Sequence, residues 1–434
     1  MPEDQLFIGV DSGTQGTKAV VFSREQGKII AEAYAEHQII ETQEGRREQE
    51  PIWWLEASTA VIGKVLKESY VSKQLIRAIG VSGQQHGMVA LDLDGNVIRP
   101  AKLWCDTETS QQCIEMTQKI GSAEKVIELI GNSIAAGFTA SKILWLKNHE
   151  PENYGRLATV LLPHDYINFW LTGEMKSEFG DASGTAYFDV RTRTWSKAIL
   201  DVIDDSGKLQ DCLPELIHSD APVGKIRAEI AEQFQLNQYV LVSSGGGDNM
   251  MAAIGTGNVT PGIVTASLGT SGTIYSFSNK PIIDRNGELA AFCSSTGGWL
   301  PLVCTMNVTV STELTRELLR LSVSDLNKTA STAELGAGGI LLLPYFNGER
   351  TPALPTAKAV FFGLTSTNYN PRNLARASME GATFGLRYGL DVLKQLGINP
   401  SEIRLVGGGA KSPLWRQMVA DVFNCAVVCP ESSE

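Results

Sequence analysis

Two stretches of this chain are written in nearly the same letters: Asp11-Ser12-Gly13-Thr14-Gln15-Gly16-Thr17 near its start, and Ser267-Leu268-Gly269-Thr270-Ser271-Gly272-Thr273 beyond its middle. The short apolar runs Leu6–Val10 and Ala19–Phe22 flank the first stretch, which predicts a hairpin with Asp11 closing its first strand. Glycines at 13 and 16 let backbone N–H groups converge on an anion, the hydroxyls of Thr14 and Thr17 add donors, and Lys18 can offset phosphate charge. One copy alone reads equally well as a glycine-rich hairpin. Two copies, with Gly13 matching Gly269, Thr14 matching Thr270 and Gly16 matching Gly272, predict a duplicated phosphate-gripping device carried by two related domains. A length of 434 residues accommodates two or three domains.

A second constraint is the run Ser243-Ser244-Gly245-Gly246-Gly247-Asp248-Asn249. An apolar strand over Tyr239–Val242 enters the glycines, and a helix-forming run leaves them, so Asp248 falls at a helix N-terminus. It is either a helix cap or a carboxylate presented to a site. No P-loop is present, and both glycine triplets, 245–247 and 407–409, lack the last glycine of a dinucleotide turn.

A net charge of −11 provides no electrostatic footprint for nucleic acid or an anionic membrane, which leaves a small molecule as the expected partner. The acidic start, Met1 to Gln5, lacks the cationic and apolar regions of a signal peptide, and no run is long enough to span a bilayer. Seven cysteines, odd in number and never two residues apart, fit a reducing cytoplasm rather than a zinc or disulfide framework.

Several further segments carry polar groups at strand ends. Ala78–Gly83 reads as a buried strand ending in Gln84-Gln85-His86-Gly87, where His86 either meets a polyol hydroxyl or is a satisfied structural residue. Trp104 and Asp106 offer an apolar wall and a hydroxyl acceptor, or equally a core indole and a turn aspartate. Gly137–Lys147 predicts a helix burying Ile143, Trp145 and Leu146 with Lys142 facing elsewhere. Leu161–Tyr166 and the polar turn Asp181–Thr185 could each line a pocket or be plain loops, and Ile340–Phe346 reads as a buried strand. Glu349-Arg350 is left as a structural pair, while Glu402–Val406 predicts a strand entering Gly407–Gly409, with Ser412 as cap and Pro413 as first helical residue.

Taken together these segments resemble the FGGY family of carbohydrate kinases from about residue 6 to the end. Its two long signatures are matched by Gly137–His149, with Lys142 and Trp145, and by Ala359–Glu380, with Gly363, Asn373, Leu374 and Ala377. Gln84-Gln85-His86-Gly87 together with Gly245–Asn249 is similar to the branch acting on D-xylulose; glycerol-specific members carry Arg-Glu where Gln85-His86 stands. The resemblance implies an α/β fold of two duplicated actin-like (ribonuclease H-like) ATPase domains, residues 1–250 binding sugar and 251–434 binding nucleotide, with ATP in a cleft. It implies that Asp248 is the general base for the 5-hydroxyl of D-xylulose, that Gln85, His86, Trp104, Asp106 and Asn249 surround the sugar, and that Asp11 orders Mg2+ through water. It further implies that Gly13, Thr14, Gln15, Thr17 and Lys18 on one side, and Gly269 and Thr270 on the other, grip the phosphates of ATP, with Gly408 and Gly409 bordering the adenosine. A homodimer is left open. The family pattern after Trp104 commonly runs Asn-Asp-x-Arg, whereas Glu108 stands here in place of the arginine, and relatives usually continue past Glu434 by several dozen residues. A same-fold kinase for another ketose or sugar acid, and a nucleotide-binding protein without transfer activity, are the competing expectations.

Overall fold

The computed structural model describes residues 5–43 and 45–431, so Met1–Asp4 and Ser432–Glu434, on which the expectations about a leader and about the chain's ending rest, lie outside the described residues. The chain separates into two units: one runs to Ala252 and takes in Phe292–Gly298, the other comprises Ala253–Ala291 and the chain from Trp299 onward.

In the first unit β1 (Leu6–Ser12), β2 (Gly16–Ser23) and β3 (Lys28–Glu36) form an antiparallel meander. β4 (Ile76–Gly83) lies parallel to β1 on its other side. β5 (Pro222–Lys225) and β6 (Leu241–Ser243) complete the order β5-β6-β4-β1-β2-β3, and the two-residue β7 (Gly246–Gly247) also pairs with β4. Alternation sets the core: Leu6, Ile8 and Val10 of β1 are buried with Ile79 and Val81 of β4 and Val242 of β6. Helix α1 (Pro51–Glu68), opened by Pro51 in its first turn, covers β2 and β3 with Trp54, Val61, Ile62 and Val65 inward. Four further helices, α2 (Thr139–His149), α3 (Pro163–Thr172), the single turn α4 (Phe179–Ala182) and α5 (Asp248–Gly255), carry or brace the site.

The same strand order recurs in the second unit, where β8 (Ile263–Leu268), β9 (Gly272–Ser276), β10 (Trp299–Thr305), β11 (Glu402–Val406) and β12 (Val427–Val428) lie in the order β10-β9-β8-β11-β12. Like β1, β8 pairs antiparallel with the strand that follows it and parallel with a strand far along the chain. The two glycine turns therefore occupy equivalent hairpins, as their shared letters predict. Their registers differ by one residue, the first hairpin closing on Ser12 opposite Thr17 and the second on Leu268 opposite Gly272. Helix α6 (Pro371–Gln395), capped by Asn370, and α7 (Pro413–Phe423), capped by Ser412 through Trp415 N at 3.2 Å, pack on this sheet's unit.

Two sequence expectations are corrected, and one segment groups away from its neighbours in the chain. Lys142 faces the interior, fully buried, because its ammonium donates to the carbonyls of Ala136, Gly137 and Phe138 at 3.0, 2.5 and 3.0 Å; burial pulls its pKa down to about 7. The strand expected over Ile340–Phe346 is only Leu341–Leu343 and is half-buried, Leu342 inward and its two neighbours outward. Phe292–Gly298 belongs with the first unit, since Cys293 N donates to Ser183 Oγ at 2.9 Å, Ser295 Oγ to Glu178 at 3.1 Å and Arg193 Nη2 to the carbonyl of Gly297 at 2.7 Å. No helix among the described residues is long and apolar enough to cross a membrane.

The first glycine of the central triplet is needed by the fold itself. Gly245 has φ +66°, and a Cβ there would stand 2.1 Å from the Val81 carbonyl oxygen. Gly245→Ala is expected to cost about 1–3 kcal/mol or more, read as a lower midpoint in urea unfolding followed by circular dichroism.

Candidate active site

β4 is the spine of the site. On one side Asp11 of β1 pairs with Ser82, and on the other Gly246 and Gly247 of β7 pair with Ser82 and Gly83. Asp11 and Asp248 therefore flank the same strand end, at the C-terminal edge of parallel strands where α/β sheets hold ligands. The triplet makes this approach possible: a Cβ on Gly246 would meet Ser295 Oγ at 2.7 Å, and one on Gly247 would meet Gln85 Cγ at 2.6 Å.

Asp248 opens α5 with its side chain exposed to solvent. Its Oδ1 accepts from the Asn249 backbone N–H at 2.7 Å and from Asn249 Nδ2 at 2.9 Å, which leaves it as a held acceptor rather than the cap of a later amide. The protein crowded around the carboxyl, then the negative charge of Asp11, push its pKa up to about 7. Asp11 is itself raised by its surroundings, against the opposing Ser82 hydroxyl, which donates to it at 2.6 Å, and the charge of Lys18. A carboxylate whose proton affinity is raised by burial and by the charge of a second carboxylate leaves room for a proton or a cation. Asp11, an oxygen donor fixed by Ser82, matches the hard, oxygen-preferring character of a magnesium ion.

Asn249 is placed from behind: its Nδ2 also donates to Gln85 Oε1 at 2.9 Å, while Gln85 Nε2 donates to Met250 Sδ at 3.0 Å. His86 follows in the left-handed region at φ +60°, its ring edge-on to Phe138 at 4.9 Å and tilted on Phe292 at 5.2 Å. Gly184 gives it space, since a Cβ there would come within 1.8 Å of His86 Cε1. His86 Nδ1 faces Asp181 Oδ1 at 3.4 Å. Gln85, His86, Asp248 and Asn249 thus form one connected group.

The first glycine turn stands next to it. Its carbonyls are tied to protein donors: Gly16 O accepts from Gly13 N, Thr14 O from Gln49 Nε2 at 2.8 Å, and Gln15 O from His37 N at 2.8 Å and the Tyr34 hydroxyl at 3.1 Å. Among the described residues the amides of Thr14 and Gln15 find no protein acceptor, the arrangement a phosphate-binding turn requires. Trp104 Nε1 donates to Thr14 Oγ1 at 3.0 Å, which in turn donates to Gln84 at 3.0 Å, so the half-exposed indole belongs to this turn.

Not every expected residue is presented. Thr17 is fully buried, its hydroxyl donating to Ser12 Oγ at 3.1 Å and lying 2.8 Å from His37 Nε2, because strand alternation turns it to the core. Lys18, on the Asp11 face, pairs with Glu32 at 3.4 Å. Asp106 is also fully buried and accepts from Arg47 N, Glu108 N and Lys102 Nζ, which makes it the turn aspartate of the alternative reading. Glu108 joins Glu48 and Asp106 around the buried Lys102 ammonium, which lies 4.0 Å from the Trp145 ring centroid. The acid found where the family carries arginine is thus matched by an internal cation, and this carboxylate cluster is no open metal site.

In the second unit Gly269 O and Thr270 O accept from Thr309 N at 3.0 Å and Val308 N at 3.1 Å. Gly408 is exposed with open space where a Cβ would point, whereas Gly409 is buried with its Cβ position 2.7 Å from Leu268 and 3.1 Å from the Trp415 ring. Gly408 alone of that pair can border a ligand. Glu349 is structural: buried, it accepts from Met306 N at 2.7 Å and Asn307 Nδ2 at 3.2 Å, the segment that hydrogen-bonds the Gly269–Thr270 turn.

Residues 6–255 match the N-terminal domain, and 264–434 the C-terminal domain, of the FGGY family of carbohydrate kinases. The chain belongs to that family. It is 48% identical to a xylulose kinase of Haemophilus influenzae over 99% of this chain and 88% of the relative. Its structure is similar to a ligand-bound xylulose kinase from Lactobacillus acidophilus (TM-score 0.93, 25% identity, 99% of this chain and 86% of that one) and to a gluconate kinase from the same organism (TM-score 0.93, 25% identity, 100% and 87%). The fold alone therefore does not select the acceptor.

Sequence reasoning named Asp248, Asn249, Gln85 and His86, and the turn Asp181–Thr185 as a possible pocket lining, but missed other parts that hold them: Ser82 under Asp11, Gln49 and His37 under the first turn, and Phe292 beside His86. The turn Asp181–Thr185 sets both Asp181 and Gly184 against the His86 ring. Gly184→Ala is expected to displace the imidazole and raise the KM for the sugar about tenfold or more while leaving the KM for ATP unchanged, measured by steady-state kinetics with each substrate varied in turn.

Proposed function

We propose that this chain is an ATP-dependent kinase that transfers the γ-phosphoryl group to the 5-hydroxyl of D-xylulose, giving D-xylulose 5-phosphate and ADP. The observation that carries the reading is Asp248, a carboxylate with its pKa near 7, presented at a helix start and linked through Asn249 and Gln85 to the segment carrying His86. The 48% identity to a xylulose kinase supports the choice of sugar.

The chemistry follows from these positions. Asp248 takes the hydroxyl proton as the oxygen attacks the γ-phosphorus; the bond from phosphorus to the bridging oxygen breaks, and ADP leaves with that electron pair. Phosphoryl transfer asks for little covalent help and much positioning and charge cancellation. His86 and Asn249 hold the sugar, with Gln85 fixing the Asn249 amide. The Thr14 and Gln15 amides donate to phosphate oxygens, and in the second unit the Gly269–Thr270 turn and Gly408 are assigned to the nucleotide. Asp11 would hold Mg2+, which when bound supplies positive charge to the phosphates. We place the reaction in the cytoplasm, a reading supported by the odd number of cysteines and by their spacing, which forms no zinc or redox pair. A sugar acid such as gluconate is the second acceptor class to test, because a neighbour of equal TM-score carries that name.

Asp248→Asn is expected to lower kcat by about 10² to 10⁴ with ATP affinity nearly unchanged, in an assay of ADP release with Mg-ATP against D-xylulose, D-ribulose, glycerol, D-gluconate and no sugar. Stimulation by D-xylulose that is lost in the variant supports the reading; stimulation by another acceptor alone, or a fully active variant, contradicts it. The base works deprotonated, so kcat/KM for D-xylulose is expected to be level above pH about 7 and to fall about tenfold per pH unit below it, a slope absent from a rate limited elsewhere.

A further inference from the structure

Asp181 takes no part in the transfer just described, yet it is fully buried and each of its oxygens faces a different imidazole. Oδ2 lies 2.8 Å from His164 Nδ1, and Oδ1 lies 3.4 Å from His86 Nδ1. His164, also fully buried, sets its Nε2 2.9 Å from Asp165 Oδ1. The row Asp165, His164, Asp181, His86 thus runs through the interior to the sugar-binding histidine. Packing fixes its members: a Cβ on Gly83 would meet His164 Cβ at 2.9 Å, and Gly184 leaves only enough room for the His86 ring.

The charges in this row can be assigned. Burial disfavours a charged His164, but the carboxylates of Asp165 and Asp181 outweigh it and hold its pKa well above the ordinary range. Asp181, against its own burial, is drawn below the ordinary carboxylate range by His164 and His86. An imidazolium therefore sits against Asp181 on one side and balances its charge. The oxygen turned toward His86 faces Nδ1 at 3.4 Å without a well-formed hydrogen bond between them, and both atoms are buried, so a proton on Nδ1 is what a small closing of that gap would satisfy. A neutral imidazole carries its proton on one nitrogen and accepts with the other, and its partner decides which.

We propose that Asp181, backed by His164, is a positioning residue for sugar recognition: it keeps the His86 proton on Nδ1, so that Nε2 is the atom that accepts from a sugar hydroxyl. The inference rests on the reading of His86 as a sugar ligand. It explains why a polar residue is carried in the left-handed region between two aromatic rings, with a glycine opposite it. It also gives a task to three buried titratable groups, Asp165, His164 and Asp181, that the transfer does not use. At metal sites, supporting carboxylates fix both the orientation and the tautomer of a ligating imidazole, and their loss typically costs about 10- to 100-fold in affinity or activity; the same device is applied here to a sugar ligand.

The test is 15N NMR of the full-length protein labelled at its five histidines, with the His86 signals assigned by their loss in His86→Asn. The expected wild-type state is a protonated Nδ1 and an unprotonated Nε2. In Asp181→Asn the side-chain amide can donate toward Nδ1, so the tautomer is expected to shift toward protonated Nε2, and the KM for D-xylulose to rise about tenfold or more with the KM for ATP unchanged. A wild-type His86 protonated on Nε2 overturns the proposal whether or not the variant folds, and so does a folded Asp181→Asn with unaltered tautomer and sugar KM. His86→Asn separates the two layers. If it leaves the KM for D-xylulose unchanged, the reading of His86 as a sugar ligand fails; if it raises that KM while Asp181→Asn does not, only the positioning role fails.

Discussion

The two-residue pairing of Gly246 and Gly247 with the end of the strand Ile76–Gly83 is the contact on which the site depends. It brings Asp248 to the same strand end that Asp11 reaches from the opposite side through its pairing with Ser82. Any side chain in the triplet would push this segment away, from Val81 at the first position, Ser295 at the second and Gln85 at the third. Once the segment is seated, the electrostatics follow: Asp11, held by a serine hydroxyl, adds its charge to burial in raising the proton affinity of Asp248, which is held by the asparagine beside it. A carboxylate whose pKa lies near neutrality is suited to accept a proton at physiological pH and release it afterwards.

Around that pair the molecule uses one device repeatedly, a glycine that makes a hole for a neighbouring side chain. Gly247 admits Gln85, Gly184 admits His86 and Gly83 admits His164. Each filled hole fixes a side-chain orientation by packing, which is how a site on strand ends gains the precision that positioning catalysis demands. The same economy governs the first glycine turn, where Gln49, His37 and Tyr34 consume the carbonyls and leave the amides of Thr14 and Gln15 for an anion.

Much of the fold was legible because it is carried by local patterns. The repeated turn letters and the flanking apolar runs marked both hairpins, and the cap and proline at Ser412-Pro413 marked the helix that follows the last triplet. The central residues Asp248, Asn249, Gln85 and His86 were legible as motifs. What was not legible is what depends on strand parity and on distant partners. Thr17 looked like a phosphate donor, but alternation along the strand turns it to the core beside Ser12. Asp106 looked like a hydroxyl acceptor, yet it is consumed by Lys102 and two backbone amides. Lys142 looked like a surface residue of its helix, but three carbonyls of the preceding loop accept its ammonium inside. The return of Phe292–Gly298 to the first unit had no local sign, because its partners Ser183, Glu178 and Arg193 lie about a hundred residues earlier.

The central claim is that Asp248 directs the phosphoryl group to the terminal hydroxyl of a ketopentose. The most direct measurement is the product's structure, obtained by incubating the protein with Mg-ATP and uniformly 13C-labelled D-xylulose and recording 13C–31P couplings. The account predicts one sugar phosphate, with phosphorus coupled to C5 and its neighbour C4. Phosphorus on another carbon, or inorganic phosphate as the only new phosphorus species, would contradict it.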